Sequence, residues 1–424
     1  MVRVLAKTAQ MIVLVIAGYN AVVALWGWKN RAPAAPGSGR RRLRIVVPAH
    51  DEEAVIGGIL DDLASDPYPA AEIVVLADRC TDQTAEVAAG RGAVAVERSG
   101  GTGGKGAALS WYLGAYPLDD EEALVVFDAD NRLPAGVLSR ISDELDAGHE
   151  IVQCYLDVEN PDGSVLATAS AMSYWAGNRM VQLARDNHGW SSDLGGTGMA
   201  FTAEALQRIG GFGSSLTEDQ EIGIRAALAG LRVAWLHDVR IRDEKPTDLT
   251  TTVRQRSRWM SGKREVARLH LGALWSAALE RRSFSLFDQG LRLVQPGRSF
   301  VALLSGLLAV AAVSTRSRLL FSPWIWVGAA IGQFLQPIPF LLRDGVQLRY
   351  VLRYPFLAVL AALWIPIRLV SGRVSGDWFN TPHKGAESQE TAWQQLLPDS
   401  PPQSDSSPSG ALTPPSAAPP GSLT

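Results

Sequence analysis

From residue 43 to 130, short apolar runs alternate with segments of helical periodicity, which limits the chain to a mainly parallel sheet covered by helices on both faces. Leu43 to Val47 is a strand-like run closed by Pro48, and residues 51–64 then place Val55, Ile56, Ile59, Leu60 and Leu63 at helical spacing. A second strand is expected over 72–78, then a helix capped by Thr81-Asp82, a third strand over 93–96 and a fourth from 123. Ligands of such open sheets sit beyond the carboxyl ends of the strands. Asp51, Asp78 and Asp130 fall at or just after those ends.

Apolar runs flank this body. Residues 10–28 are nearly uncharged and close to the roughly 20 residues that cross a bilayer core. The flank after them carries Lys29, Arg31, Arg40, Arg41, Arg42 and Arg44 against Arg3 and Lys7 before, which places the body from residue 43 in the cytoplasm. The competing explanation is a cleaved signal peptide with Ala32-Pro33-Ala34 as its site. Three further runs cover 299–315, 322–342 and 350–370, the second containing Gln333 and Gln336; one of the three is expected to lie in the interface or re-enter. The expected divisions are a membrane anchor with its basic flank over 1–42, a catalytic body over 43–270, an interfacial region over 271–298, membrane segments over 299–372 and a tail over 373–424. A net charge of −3 gives no footprint for nucleic acid, and Cys80 and Cys154 are too few for a disulfide framework.

Carboxylates crowded at one sheet edge repel one another unless a cation compensates. Asp128 and Asp130 suit a divalent ion held by oxygen, although Asp-x-Asp followed by Asn131 and Pro134 also reads as a turn. The glycine run Gly100 to Gly106 with Lys105 opens a helix and offers amides and an ammonium to phosphate, or is a flexible loop. Thr217 with Gln220 fits a capping box, which leaves Glu218 and Asp219 unexplained except as favourable charges in a first turn. A partly dehydrated Asp219 would suit a general base. In Gln255 to Trp259, helical spacing puts Gln255, Arg258 and Trp259 on one face, an amide, a cation and an indole plate together; an arginine-rich interfacial helix is the alternative.

Taken together, these motifs resemble the membrane-bound inverting enzymes of glycosyltransferase family 2, especially poly-N-acetylglucosamine synthases, cellulose synthase catalytic subunits and ceramide glucosyltransferases. The resemblance covers 43 to about 270, with an echo at Trp378 to Lys384. It implies the GT-A nucleotide-sugar fold, with N-terminal and C-terminal transmembrane helices. It further implies that Asp78 binds uracil, Asp128 the donor ribose or sugar, and Asp130 with Asp128 a Mg2+ or Mn2+ ion. Asp219 would be the general base. Glu52, Lys105, Gln255 and Arg258 would meet the donor, and Trp259 and Glu218 the acceptor. Asp51 stands where the family's Pro-x-x-Asn-Glu loop carries Asn.

The expected protein is a multi-pass inner or plasma membrane enzyme with a cytoplasmic catalytic domain. It moves glucose or N-acetylglucosamine from a UDP-sugar to a polysaccharide or exopolysaccharide, alone or with other subunits of an assembly system. Single transfer to a lipid acceptor is the second reading, and a catalytically silent membrane scaffold the third.

Overall fold

The computed structural model describes residues 1–37, 41–213 and 215–354. Helix α1 (Val2–Ala24) ends in a 3-10 turn, Leu25–Trp28, and leads to the body. There β1 (Arg42–Ala49), α2 (Ile56–Ser65), β2 (Ala71–Asp78), α3 (Thr84–Gly90), β3 (Val94–Arg98), α4 (Lys105–Ala115) and β4 (Glu122–Val126) alternate as expected. They are followed by α5 (Val137–Asp146), β5 (Ile151–Val158), α6 (Val165–Gly177), a π-helical turn, α7 (Ala184–Asn187), β6 (Met199–Thr202), α8 (Ala203–Ile209), α9 (Glu218–Leu228) and β7 (Val233–Asp243). The long α10 (Leu249–Glu280) leads to α11 (Phe284–Val294), α12 (Arg298–Thr315), α13 (Pro323–Leu335) and α14 (Pro337–Arg343).

The sheet order is β3-β2-β1-β4-β6-β5-β7. β3, β2, β1 and β4 run parallel, β6 is antiparallel to both its neighbours, and β5 and β7 are parallel. Because side chains alternate across a strand, Ile45, Val47, Val75 and Val125 pack on Ile56, Ile59, Leu60 and Ile141 of α2 and α5. Val46, Val74, Leu124 and Val126 pack the other way, on Leu109 of α4, Leu206 of α8 and Ile222 of α9. Each such fully buried Val, Leu or Ile contributes about 1.5–3 kcal/mol.

Three local expectations are corrected. Helix α2 begins at Ile56, later than residue 51, because Asp51 takes φ 54° and its Oδ1 accepts the Thr81 N–H at 2.6 Å, tying the turn after β1 to the turn after β2. The capping box at Thr217 does not form: the hydroxyl has no hydrogen-bond partner among the described residues, and the side chain packs against Gly262 of α10, where a Cβ would meet Thr217 Cγ2 at 2.5 Å. The first apolar helix starts at Val2 instead of residue 10.

Among the described residues, three helical segments are long and apolar enough to cross a membrane: Val2–Trp28, Arg298–Thr315 and Pro323–Arg343. Polar side chains stitch them together, Gln10 Nε2 donating to Leu319 O at 2.9 Å and Gln336 Nε2 to Ala21 O at 2.8 Å. The Trp378 to Lys384 segment and all of the 350–370 run beyond residue 354 lie outside the described residues.

Candidate active site

The strand ends of the parallel half carry two charged groups joined by the glycine loop. In the first, Asp78 at the end of β2 is buried, and Arg98 Nη1 donates to its Oδ1 at 2.7 Å. Arg98 Nη2 also donates to Thr102 O, within the glycine loop, at 2.9 Å, and His50 Nδ1–H donates to Asp78 O at 2.6 Å. Asp78 is thus one half of a carboxylate–guanidinium pair, not a lone acid. Glu52 lies in the adjoining turn, its N–H donating to Thr84 Oγ1 at 2.9 Å. Asp51, Cys80 and Asp82 offer ligand atoms within 4.8 Å of one another. Their carboxylates already accept from Thr81 and Thr84, so turn structure accounts for the grouping.

The second group surrounds Lys105, the first residue of α4. Its Nζ bonds Asp128 Oδ1 and donates to Gly196 O at 2.7 Å. Burial alone would lower this ammonium; Asp128, Glu218 and Asp219 together hold it above its ordinary value. Gly196 is required by its φ of 88°, which L side chains rarely adopt, and it places the backbone beside Asp219. Gly106 needs its lack of a side chain, since a Cβ there would lie 2.2 Å from Gly213 O and 2.9 Å from Glu218 Cβ. These contacts press the start of α4 against the start of α9.

Glu218 and Asp219 open α9, and Asp219 Oδ1 accepts the Gln220 N–H at 2.8 Å. Burial, and then the neighbouring Glu218 charge, push Asp219 up to about 7, while Lys105 and Arg258 oppose the rise. Burial raises Glu218 as well. Asp128 is set by a short network: its N–H lies 3.0 Å from Asn131 Oδ1 and 2.9 Å from Thr197 Oγ1, and Thr197 also bonds Asn131. Asn131 Nδ2 donates to Asp130 Oδ1 at 3.3 Å, so Asp130 shares this turn.

Gln255, Arg258 and Trp259 lie on α10 as their spacing predicts, and Arg258 acts electrostatically on both Glu218 and Asp219. The helix buries Ser257, Gly262 and Val266 against protein. Arg256 turns toward α6, its Nη2 donating to Ser170 Oγ at 3.2 Å, which is packing that a simple interfacial helix would not need.

Two participants were missed in the sequence. Asp243, the last residue of β7, is close enough to Asp128 for its charge to be felt, and burial raises its pKa while Lys245 opposes. Lys245 pairs with Asp243 and sits 4.1 Å from the Tyr174 ring centroid. The signal was present: Asp243 is one more carboxylate at a strand end.

A cavity of about 250 Å³ adjoins Asp219. One wall is the α9 face of Asp219, Gln220, Gly223 and Ile224; α11 and Lys263 of α10 add polar groups; and Ala17, Val301 and Gln333 reach it from the three apolar helices.

The family described as "Glycosyltransferase like family 2" matches residues 41–262, more than half of the chain. A β-monoglucosyldiacylglycerol synthase from Synechocystis is 27% identical over 242 residues, which are 51% of this chain and 47% of that protein. The probable glycosyltransferase YdaM of Bacillus subtilis is 24% identical over 275 residues, 61% of this chain and 63% of its own. The chain thus spans about half to under two thirds of the length of these curated relatives. A mannosyltransferase from Pyrobaculum calidifontis, solved with GDP-mannose and Mn2+, superimposes with a TM-score of 0.57 at 20% identity, over 86% of this chain and 99% of its own. That likeness is one of fold, and it agrees with the GT-A architecture expected for residues 43–270. By the extent of the family match, the chain belongs to glycosyltransferase-like family 2.

Proposed function

We propose that the protein is a membrane-anchored inverting β-glycosyltransferase that moves a hexose from a UDP-sugar to a hydroxyl of a lipid acceptor, with residues 43–270 on the cytoplasmic side. The observation that carries this reading is the cavity that joins Asp219 to residues of the three apolar helices. The Synechocystis relative's name, a glycolipid synthase, points the same way. The basic flank after α1 supports the orientation. A polysaccharide acceptor, favoured from the sequence, is the second reading, and the additional apolar run reaching residue 370 is the feature that favours it.

Asp219 takes the proton from the acceptor hydroxyl as its oxygen attacks the anomeric carbon. The bond from that carbon to the diphosphate oxygen breaks, and the electron pair leaves with the nucleoside diphosphate. Arg258 faces the same acids and sits where a departing anion meets a cation, and Lys105 adds a second cation, an ammonium, from the α4 start. Asp130 and Asp128 give an all-oxygen donor set that fits Mg2+ or Mn2+. When bound, such an ion neutralises diphosphate charge. Asp78 with Arg98, and Glu52 nearby, form the wall assigned to the nucleobase, and Gln255 and Trp259 that assigned to the sugars.

The test uses full-length protein in detergent, offered UDP-glucose, UDP-N-acetylglucosamine and GDP-mannose with Mg2+ or Mn2+, and with dioleoylglycerol or cello-oligosaccharides as acceptors. A singly glycosylated lipid, read by mass spectrometry, is the expected product. Extension of the oligosaccharide with the lipid left untouched would overturn the acceptor class, and no nucleotide release under any condition would overturn the activity.

A further inference from the structure

Besides Arg292, which is ion-paired with Asp288 and Asp193, three residues lining the Asp219 cavity carry a buried polar atom with no hydrogen-bond partner among the described residues: Gln220 Oε1, Gln289 Oε1 and Arg298 Nη1. Gln289 is only 4% exposed. An orphaned buried donor or acceptor costs about 1–3 kcal/mol, so three around one space call for an occupant, water or ligand, that supplies their partners. Two are acceptors and one is a donor, so the missing group must both give and take hydrogen bonds. Hydroxyls do both.

The cavity of about 250 Å³ has room for a compact polar head. Ala17 and Val301 bring apolar surface to it from α1 and α12. An occupant with a hydroxylated head and an apolar continuation matches the orphaned polar atoms and the apolar surface of Ala17 and Val301.

We propose that this cavity is the acceptor-head site, that its ligand is a lipid with a small uncharged hydroxyl-bearing head, and that Gln289 and Arg298 are its specificity-determining residues. The inference rests on the lipid-acceptor reading above and deepens it. Gln289 Oε1 accepts from a hydroxyl of the head, and Arg298 Nη1 donates to one of its oxygens. Gln220, next to Asp219 on α9, aligns the attacking hydroxyl with the base.

The experiment measures steady-state transfer to dioleoylglycerol in phosphatidylcholine nanodiscs by wild type, Gln289→Leu and Gln289→Glu. Leucine keeps the volume and removes the acceptor atom, so the acceptor KM should rise about fivefold to tenfold while the donor KM moves less than twofold. Glutamate keeps the oxygens and should bring the acceptor KM back toward the wild-type value. A diazirine-bearing diacylglycerol should label peptides containing Asn20 or Val301, an assay that does not depend on turnover. Two results would sink this site while leaving the lipid reading intact: an unchanged acceptor KM in Gln289→Leu, or labelling confined to outward residues such as Leu307 and Val310. If wild type ignores dioleoylglycerol and extends cello-oligosaccharides, both readings fall.

Discussion

Asp219→Asn tests the site through two readouts of opposite sign. The base must be ionised to accept a proton, and its midpoint is about 7. Roughly a tenth of it is ionised at pH 6 and roughly nine-tenths at pH 8, so wild-type kcat/KM should climb about tenfold across that window. The asparagine variant should lose about 10²–10⁴ in turnover and the rising limb with it. Stability moves the other way. The carboxyl is raised from 3.8 to about 7, so the folded state holds its proton more tightly than the unfolded chain, and ionisation in place costs stability as pH rises. At about 1.36 kcal/mol per unit, the cost relieved by asparagine is at most roughly 4 kcal/mol at pH 8, against roughly 2 kcal/mol at pH 5. Turnover from pH 5.5 to 8.5 and thermal unfolding in detergent at pH 5 and pH 8 check both. A wild-type profile flat from pH 6 to 8, or a variant no more stabilised at pH 8 than at pH 5, would refute the assignment. Glu218→Gln removes the second cause of the shift and should move the limb to lower pH.

Gly106→Ala places a Cβ 2.2 Å from Gly213 O; the start of α9 must move by about 1 Å, and kcat should fall about 100-fold without loss of the fold, a value within threefold of wild type counting against it. Arg98→Leu removes the closer cation from the buried Asp78, leaving Arg79 Nε at 3.5 Å, and should cost up to about 3–5 kcal/mol, most of it recovered by adding Asp78→Asn, as read by thermal unfolding. Asp130→Asn should raise the Mn2+ concentration for half-maximal turnover at least about tenfold; an unchanged metal titration would remove Asp130 from the ion.

The parallel half of the sheet was legible because its runs are short, β-branched and followed by acids, although β1 runs on through Pro48 to Ala49 and the N-cap of α3 is Gln83, not Thr81-Asp82. What the sequence concealed depends on contacts between distant segments. Thr217 reads as a cap only until Gly262, 45 positions on by number (262 − 217), takes its side chain. Asp243 escaped notice because β5, β6 and β7 lack the simple alternation of the first half. The amides in the apolar runs look like defects in a membrane segment; folded, Gln333 Nε2 donates to Ala17 O at 3.3 Å and Gln336 Nε2 to Ala21 O at 2.8 Å, joining α13 and its continuation to α1. Gln289 carries no local signal of its role, since only the cavity gives it one.

The three apolar helices line the cavity beside Asp219, and the buried charges of α11 tie the first of them to the body. Asp288 of α11 is fully buried. It accepts from Tyr19 of α1 at 2.6 Å and from Arg185 Nε at 2.8 Å, and it pairs with Arg292 Nε at 3.0 Å. Burial would raise its carboxyl, but Arg292, Arg185 and Tyr19 hold it below the ordinary range, so the pairing outweighs desolvation. Arg292 in turn pairs with Asp193 on the cavity wall. Helix α1 joins this buried ion network through the Tyr19 hydroxyl, and stranding one member of such a network costs about 3–5 kcal/mol. The same α9 face that begins with Asp219 continues as Gly223 and Ile224 along this wall. The position of Asp219 is therefore set jointly by the sheet, through α4 and Lys105, and by α11 with the apolar helices that line the same wall. Removing α1 should disable transfer to a lipid by exposing that wall, even where the nucleotide half of the body stays folded.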